Sequence, residues 1–439
     1  MEKFTEFIER HVAPVAGRLG ANRYIQAIQN TFLTLIPFMT IGSMALVIVT
    51  PPMDYTTMDP GIAQSFMQGW QAVADFLAFP FTIINTITTG CLALWVSVGL
   101  AFFLSRHYKM NSYLPVALSA ASFIATGFIS TEGALMTDFI GGAGLFCAIV
   151  MSVATVELFK FLSERNVGRI NLPGAVPPAL GESMAHLVPA ALCLLAVSLI
   201  STAAIKLTAA PFANLIATIV SPLVGAVDSP AGIMLIAFLM PLFFWFGIHD
   251  SVLTSPLDPF LYANLDANMA AYAAGAAATA LPCTVAPPFV WYFITIGGNG
   301  ATLALALLTL RSRSKQISTI GKLGIIPTLF GVNEPIIFGL PVMYNPLMFV
   351  PSILNMVLNA GLTFLVMDLG IINHTFAYPG WNVPAPIGAL LSTMDVKALV
   401  FIIGLIILNG LVYYPFFKAY EKKKVEEEQA EVPAQAEVA

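Results

Sequence analysis

Between Arg23 and Arg106 the chain carries no lysine or arginine, although Asp54, Asp59 and Asp75 fall inside the run. Two further gaps follow. From Asn171 to Leu310 only Lys206 is basic, and nothing basic separates Lys322 from Lys397. Apolar runs of this length exclude an ordinary water-solvated fold, whose residues are about a quarter charged. Here 10% of 439 residues are charged and 58% are hydrophobic, with a mean hydropathy of +0.83. Lipid must solvate most of the outer face, so the expected class is an all-α polytopic membrane protein.

The basic clusters between the gaps mark cytoplasmic loops under the positive-inside rule. They are Arg106 with Lys109, then Lys160 to Arg169, then Arg311 to Lys322. A spanning helix needs roughly 20 apolar residues. Such segments thread between the markers at 25–50, 76–105, 113–130, 139–162, 185–206, 230–248, 283–310, 346–367 and 397–418. The stretch 250–282 is interrupted by Pro and Asp, and charge does not decide whether it crosses or re-enters. Counting it gives about ten transmembrane helices, with one or two re-entrant hairpins and both termini cytoplasmic. The location expected is an inner membrane.

Residues 1–24 place Phe4, Phe7, Ile8, Val12, Val15 and Leu19 at helical spacing among charges. That pattern predicts an amphipathic interfacial helix, and it lacks the features of a signal peptide. Residues 25–206 are expected to form an N-terminal bundle that dimerises, 207–229 an amphipathic connector, and 230–420 a C-terminal solute-binding region. Residues 421–439 form a charged tail without core-forming residues, expected to be disordered. The singleton cysteines Cys91, Cys147, Cys193 and Cys283 read as small buried hydrophobes. No metal or cofactor is implied. Sparse basic residues give no footprint for nucleic acid, and no GxxxxGK[ST] loop occurs.

Polar groups inside membrane segments are costly and point to function. Three constellations meet that description. In PLFFWFGIHDSVL, residues 241–253, Trp245, His249 and Asp250 end an apolar helix. In residues 322–353, Gly and Pro punctuate an apolar run centred on Asn333 and Glu334. Each half is too short to span at ~1.5 Å per residue, so the spacing predicts a re-entrant hairpin with Glu334 at its tip, facing a polar cavity. In IINHTFAYPGWNVPAPIG, residues 371–388, Trp381 and Asn382 are the pair suited to a sugar. Aromatic rings stack on sugar faces and Asn bonds hydroxyls. Trp381 reads equally as an interfacial anchor, and His374 and Tyr378 fit the interface better. Asp250 reads as a cap as readily as a ligand. Glu182, ahead of a span, is a further candidate ligand that fits a cytoplasmic loop as well.

The stretch GVNEPIIFGLPVMYNPLMFVPSIL, residues 331–354, resembles the hallmark of membrane-embedded enzyme IIC subunits of the phosphoenolpyruvate-dependent phosphotransferase system. WFGIH at 245–249 and GGNGATLALAL at 297–307 resemble two further signatures of its lactose/cellobiose/diacetylchitobiose branch. The resemblance implies group translocation by a homodimer. A β-linked disaccharide would be carried across, and its 6-hydroxyl would take a phosphoryl group from a IIB phosphocysteine, recharged by IIA upstream. Glu334 would be the general base, with His249 beside it. Asn333, Trp245, Trp381, Asn382 and Glu182 are then candidate substrate ligands. The absence of a suitable cysteine implies a separate IIB subunit, expected to dock on the basic loop 311–322. The rival is an ion-coupled secondary sugar transporter, with Glu334 and His249 relaying protons. A channel or receptor without chemistry is a third class.

Overall fold

The computed structural model describes residues 21–51, 55–111, 113–127, 129, 137, 139–170, 173, 178–245, 251–340, 342 and 345–436. Every element among them is helical. The expected amphipathic helix at 1–24 lies almost wholly outside them.

The first half comprises α1 (Arg23–Val49), α2 (Ile62–Ile87), α3 (Leu92–His107), α4 (Tyr113–Gly127), α5 (Leu145–Glu164), α6 (Pro178–Ala185) and α7 (Leu187–Thr208). Asn22 starts α1 by accepting the Tyr24 and Ile25 amides on its side chain, which satisfies two of the orphan donors of a helix start. Helices α3, α4 and α5 pack together. At their contact the Ser97, Ser119 and Ser152 hydroxyls bond one another at 2.9–3.2 Å, fully buried. Small hydroxyl residues let helices approach closely in lipid, where no hydrophobic effect drives them together. The interval between the spans expected at 25–50 and 76–105 is shorter than those bounds, because α2 already begins at Ile62.

In the second half α8 (Phe212–Val227) and α9 (Pro230–Trp245) meet at a 70° bend. Asp228 sits in that bend and accepts the Thr284 and Val285 amides at 3.0 and 2.6 Å. Helix α10 (Ser251–Ala273) is continuous through Pro256 and Pro259, so most of the segment left open at 250–282 is one helix, followed by a short 3₁₀ turn at Ala278–Ala280. Its buried Asn264 and Asn268 side chains donate to the carbonyls of Val285, Cys283 and Thr375.

The unbroken span expected at 283–310 is instead broken. A π-helical turn, Phe289–Ile294, runs into an unwound segment before α11 (Leu303–Thr309). Gly297, Gly298, Gly300 and Ala301 all hold positive φ (75, 101, 87 and 53°), a region in which no helix continues. The hairpin follows: α12 (Lys315–Leu329) and α13 (Glu334–Gly339) fold against each other around the turn at 330–333. Gly324 faces Ile336 so closely that any side chain there would collide.

Helix α14 (Pro346–Asp368), an extended buried run, α15 (Ala385–Thr393) and α16 (Val396–Ala436) complete the chain. The tail expected to be disordered from 421 continues α16 to Ala436. Lys418–Glu421 and Lys424–Glu427 pairs at 2.6 Å support it at helical spacing, and Glu421 and Glu428 bond the 312–316 loop. Among the described residues six helices are long and apolar enough to cross a bilayer, or seven if the bent α8–α9 pair counts as one span. One of these stretches, Gln64–His107, is 44 residues long, about twice what a single crossing needs.

Candidate functional site

A cavity of about 400 Å³ opens where six segments converge, within the range typical of small-molecule sites. Helix α1 presents Gln29, Phe32, Leu33 and Ile36 from one face. Helix α10 presents Thr254, Asp258 and Tyr262, each one turn from the next. The π-turn and unwound segment supply Trp291, Thr295, Gly298 and Asn299; the hairpin tip supplies Gly331, Val332 and Asn333. The extended run adds Tyr378 and Trp381, and Phe244 closes the end of α9.

Unwound backbone inside a membrane protein survives only where protein or a wet cavity satisfies its polar groups. The carbonyls here are bonded one by one. Asn359 donates to Ile294 O, Thr302 to Gly297 O, Asn333 to Asn299 O, and Tyr413 to Gly300 O, at 2.6–3.2 Å. Asn333 also donates to the Thr302 hydroxyl at 2.8 Å. Its side chain thus pins the hairpin tip onto the unwound segment, and Gly298 lies directly beneath it, where a Cβ would overlap it.

Aromatic rings form the opposite wall. Phe32 stacks on Tyr262 at 4.9 Å, and Tyr262 meets Tyr378 edge-on at 5.9 Å. The Tyr292 hydroxyl donates to Gly380 O, holding the run that carries Trp381. Tyr378 and His374, expected at an interface, are instead 1% and 7% exposed. His374 is tied to Leu281 O at 3.0 Å, and neighbouring Phe376 stacks on Tyr272 at 3.8 Å. The reason is tertiary: the middle of the run, 372–380, is threaded through the interior.

The expected site residues divide. Asn333 and Trp381 line the cavity, Trp381 remaining 40% exposed. Glu334 follows Asn333 as the first residue of α13; its backbone is described and its side chain is not. His249 and Asp250 lie outside the described residues, though Phe244 before them and Thr254 after them both line the cavity. Trp245 stands aside. Its indole N–H donates to Asn345 O at 3.3 Å, its ring lies 4.5 Å from Phe349, and it lines a neighbouring void of about 20 Å³. Asn382 and Glu182 are exposed and do not line the cavity. Gln29, Thr254, Asp258, Tyr262 and Trp291 were not foreseen. The available signal was Asp258, a carboxylate flanked by prolines in an uncharged stretch and spaced by four from Thr254 and Tyr262.

Rings that can stack, beside amides, hydroxyls and one carboxylate, suit a neutral polyhydroxylated ligand. The family model described as "Phosphotransferase system, EIIC" matches residues 29–355. The chain belongs to the EIIC family of the phosphotransferase system. Among EIIC relatives, the lichenan permease IIC component of Bacillus subtilis is 31% identical, over 98% of this chain and 96% of its own. The cellobiose-specific EIIC component of Geobacillus stearothermophilus is 30% identical, over 98% and 97%. The solved structure of the transporter ChbC, the IIC component of the N,N'-diacetylchitobiose-specific phosphotransferase system, superposes with a TM-score of 0.87 at 27% identity, covering 96% of this chain and 99% of that one. EIIC membership together with the apolar helices makes this a multi-pass membrane protein of a sugar phosphotransferase system.

Proposed function

We propose that this EIIC chain binds a β-linked disaccharide of the cellobiose or lactose type in the 400 Å³ cavity, carries it across the bilayer and presents its 6-hydroxyl for phosphorylation. The observation that carries the proposal is the hairpin tip, pinned by Asn333 to the unwound segment at an aromatic-walled cavity, with Glu334 the next residue. The specificities named for two similar proteins, cellobiose and diacetylchitobiose, support the sugar class.

In the proposed reaction Glu334 takes the proton of the 6-hydroxyl as that oxygen attacks the phosphorus of a IIB phosphocysteine. The P–S bond breaks and the thiolate leaves on IIB. His249 orients the hydroxyl. None of this chain's four cysteines suits the donor role: Cys147 and Cys193 are buried, and Cys91 and Cys283 are partly so. In this reading the donor is the phosphocysteine of IIB, recharged by IIA. Arg311, Arg313 and Lys315, exposed at the start of α12, would receive its phosphorylated face on the cytoplasmic side, where both termini also lie. Trp381 is the proposed stacking platform, and Asn333 positions the tip. Trp245, Asn382 and Glu182 leave the proposed ligand set, since none lines the cavity. A second copy would pack in the first half, where α2 exposes Phe66, Phe76 and Phe79.

Proteoliposomes loaded with phosphorylated IIB and given labelled cellobiose test this directly. Sugar phosphate is expected inside only when phospho-IIB is present. Glu334→Gln should lower its formation by about 10²–10⁴-fold while sugar binding persists. Free cellobiose accumulating under a proton gradient, without IIB, would overturn group translocation in favour of ion coupling.

A further inference from the structure

Asp258 is a carboxylate with no place in the mechanism above. Two other acids of the C-terminal half have evident structural duties. Asp228 accepts two backbone amides at the α8–α9 bend, and Asp266 accepts the Gly142 amide at 2.7 Å, joining α10 to the first half. Neither lines the cavity, whereas Asp258 does. It stands midway in a polar stripe on α10, with Thr254 one turn before and Tyr262 one turn after. The stripe extends about 12 Å along the helix axis, long enough to follow a disaccharide through both rings.

A carboxylate lining a ligand cavity favours groups that donate hydrogen bonds to it. An ionised one only accepts, through two oxygens with about four lone-pair directions. Two adjacent ring hydroxyls satisfy it, each donating one proton. An acetamido substituent satisfies it less well: it offers a single N–H, and its carbonyl is a second acceptor brought near a negative charge. It also needs more room than a hydroxyl. The stripe is thus suited to a sugar with free ring hydroxyls rather than an N-acetylated one.

We propose that Asp258 is a specificity-determining residue of this cavity, accepting hydrogen bonds from vicinal ring hydroxyls and disfavouring acetamido sugars. The assignment rests on the cavity being the sugar site. It separates this chain's substrate from that of the diacetylchitobiose transporter it resembles in fold.

Titration calorimetry on the full chain in lipid nanodiscs, with cellobiose and N,N'-diacetylchitobiose as probes, tests it. The wild-type protein is expected to bind cellobiose at least about tenfold more tightly, the size of a charge-assisted hydrogen bond. Asp258→Asn, whose amide can donate to an acetamido carbonyl, should lower that ratio about tenfold, while Asp258→Glu should keep most of it. A wild-type preference for diacetylchitobiose overturns the assignment without any variant, which covers the case of Asp258→Asn failing to fold. An unchanged ratio in a folded Asp258→Asn, with Trp381→Ala still abolishing binding of both sugars, refutes Asp258 and leaves the cavity standing. Binding that survives Trp381→Ala and Asp258→Asn alike refutes the cavity as well.

Discussion

Asn333 shows how a residue's role depends on what its atoms touch. By type and position it reads as a sugar ligand, yet its amide donates to Asn299 O and to the Thr302 hydroxyl, with 4% of its surface exposed. Asn333→Ala would leave the buried Asn299 carbonyl without this donor and take one donor from the Thr302 hydroxyl, costing about 1–3 kcal/mol. Sugar phosphate formation should fall further than thermal stability, because the tip is what the lost bonds hold; equal losses in both would mean the residue serves only the fold. Gly298 tests the same contact from below. Its φ of 101° and the overlap of any Cβ with Asn333 predict that Gly298→Ala costs more than Gly331→Ala. At Gly331 φ is 83° and the nearest neighbour is 3.7 Å away. Melting temperatures and initial transport rates of the two variants provide the comparison.

At the scale of elements, the hairpin is held from both ends. Its tip rests on the unwound segment, and the start of α12 is capped by the tail of α16. Glu428 accepts the Ser314 hydroxyl and the Lys315 and Gln316 amides at 2.6–3.1 Å. Glu421, one face-turn pair earlier, accepts the Ser312 hydroxyl and Arg313 amide at 2.7 and 2.8 Å. Carboxylates are favoured at a helix N-terminus, where unpaired N–H groups and the dipole both attract them. Glu428→Gln should therefore speed hydrogen exchange of the amides at 315 and 316, and truncation after 420 should speed it across 312–317. Exchange in α15 serves as the unchanged reference.

At the scale of the whole molecule, apolar side chains stand outward along several helices: Phe76 and Phe79 on α2, Leu195 and Leu199 on α7, and Val400, Ile407 and Leu411 on α16. In water such surfaces would aggregate; in a bilayer they are what the solvent requires. The α2 face carries a further expectation. Cysteines placed singly at Phe76 and Phe79, in a background lacking the native four, should cross-link two copies if the proposed homodimer packs there. Labelling of both positions by a lipid-soluble reagent, with no cross-linked species on a denaturing gel, would assign that face to lipid.

The sequence by itself determined what the solvent dictates. Lipid fixes helix length and forbids charge, so Arg23–Val49, Leu187–Thr208 and Pro346–Asp368 lie close to where the apolar runs place them. Glycine and proline fix backbone breaks, so the helix that ends at Leu329 gives way to a turn at 330–333, beside Asn333 and Glu334. The GGNG break within 283–310 carried the same signal in a run whose hydropathy hid it. Only tertiary structure decided which polar groups meet. Gln29, Asp258, Asn333 and Trp381 share one cavity across more than three hundred residues of chain, and nothing local to any of them names the others. The same holds for the tail of α16, whose charges looked solvated until the 312–316 amides supplied partners. Propensity and hydropathy belong to a residue and its near neighbours, whereas hydrogen-bond satisfaction and shared burial belong to the packed chain.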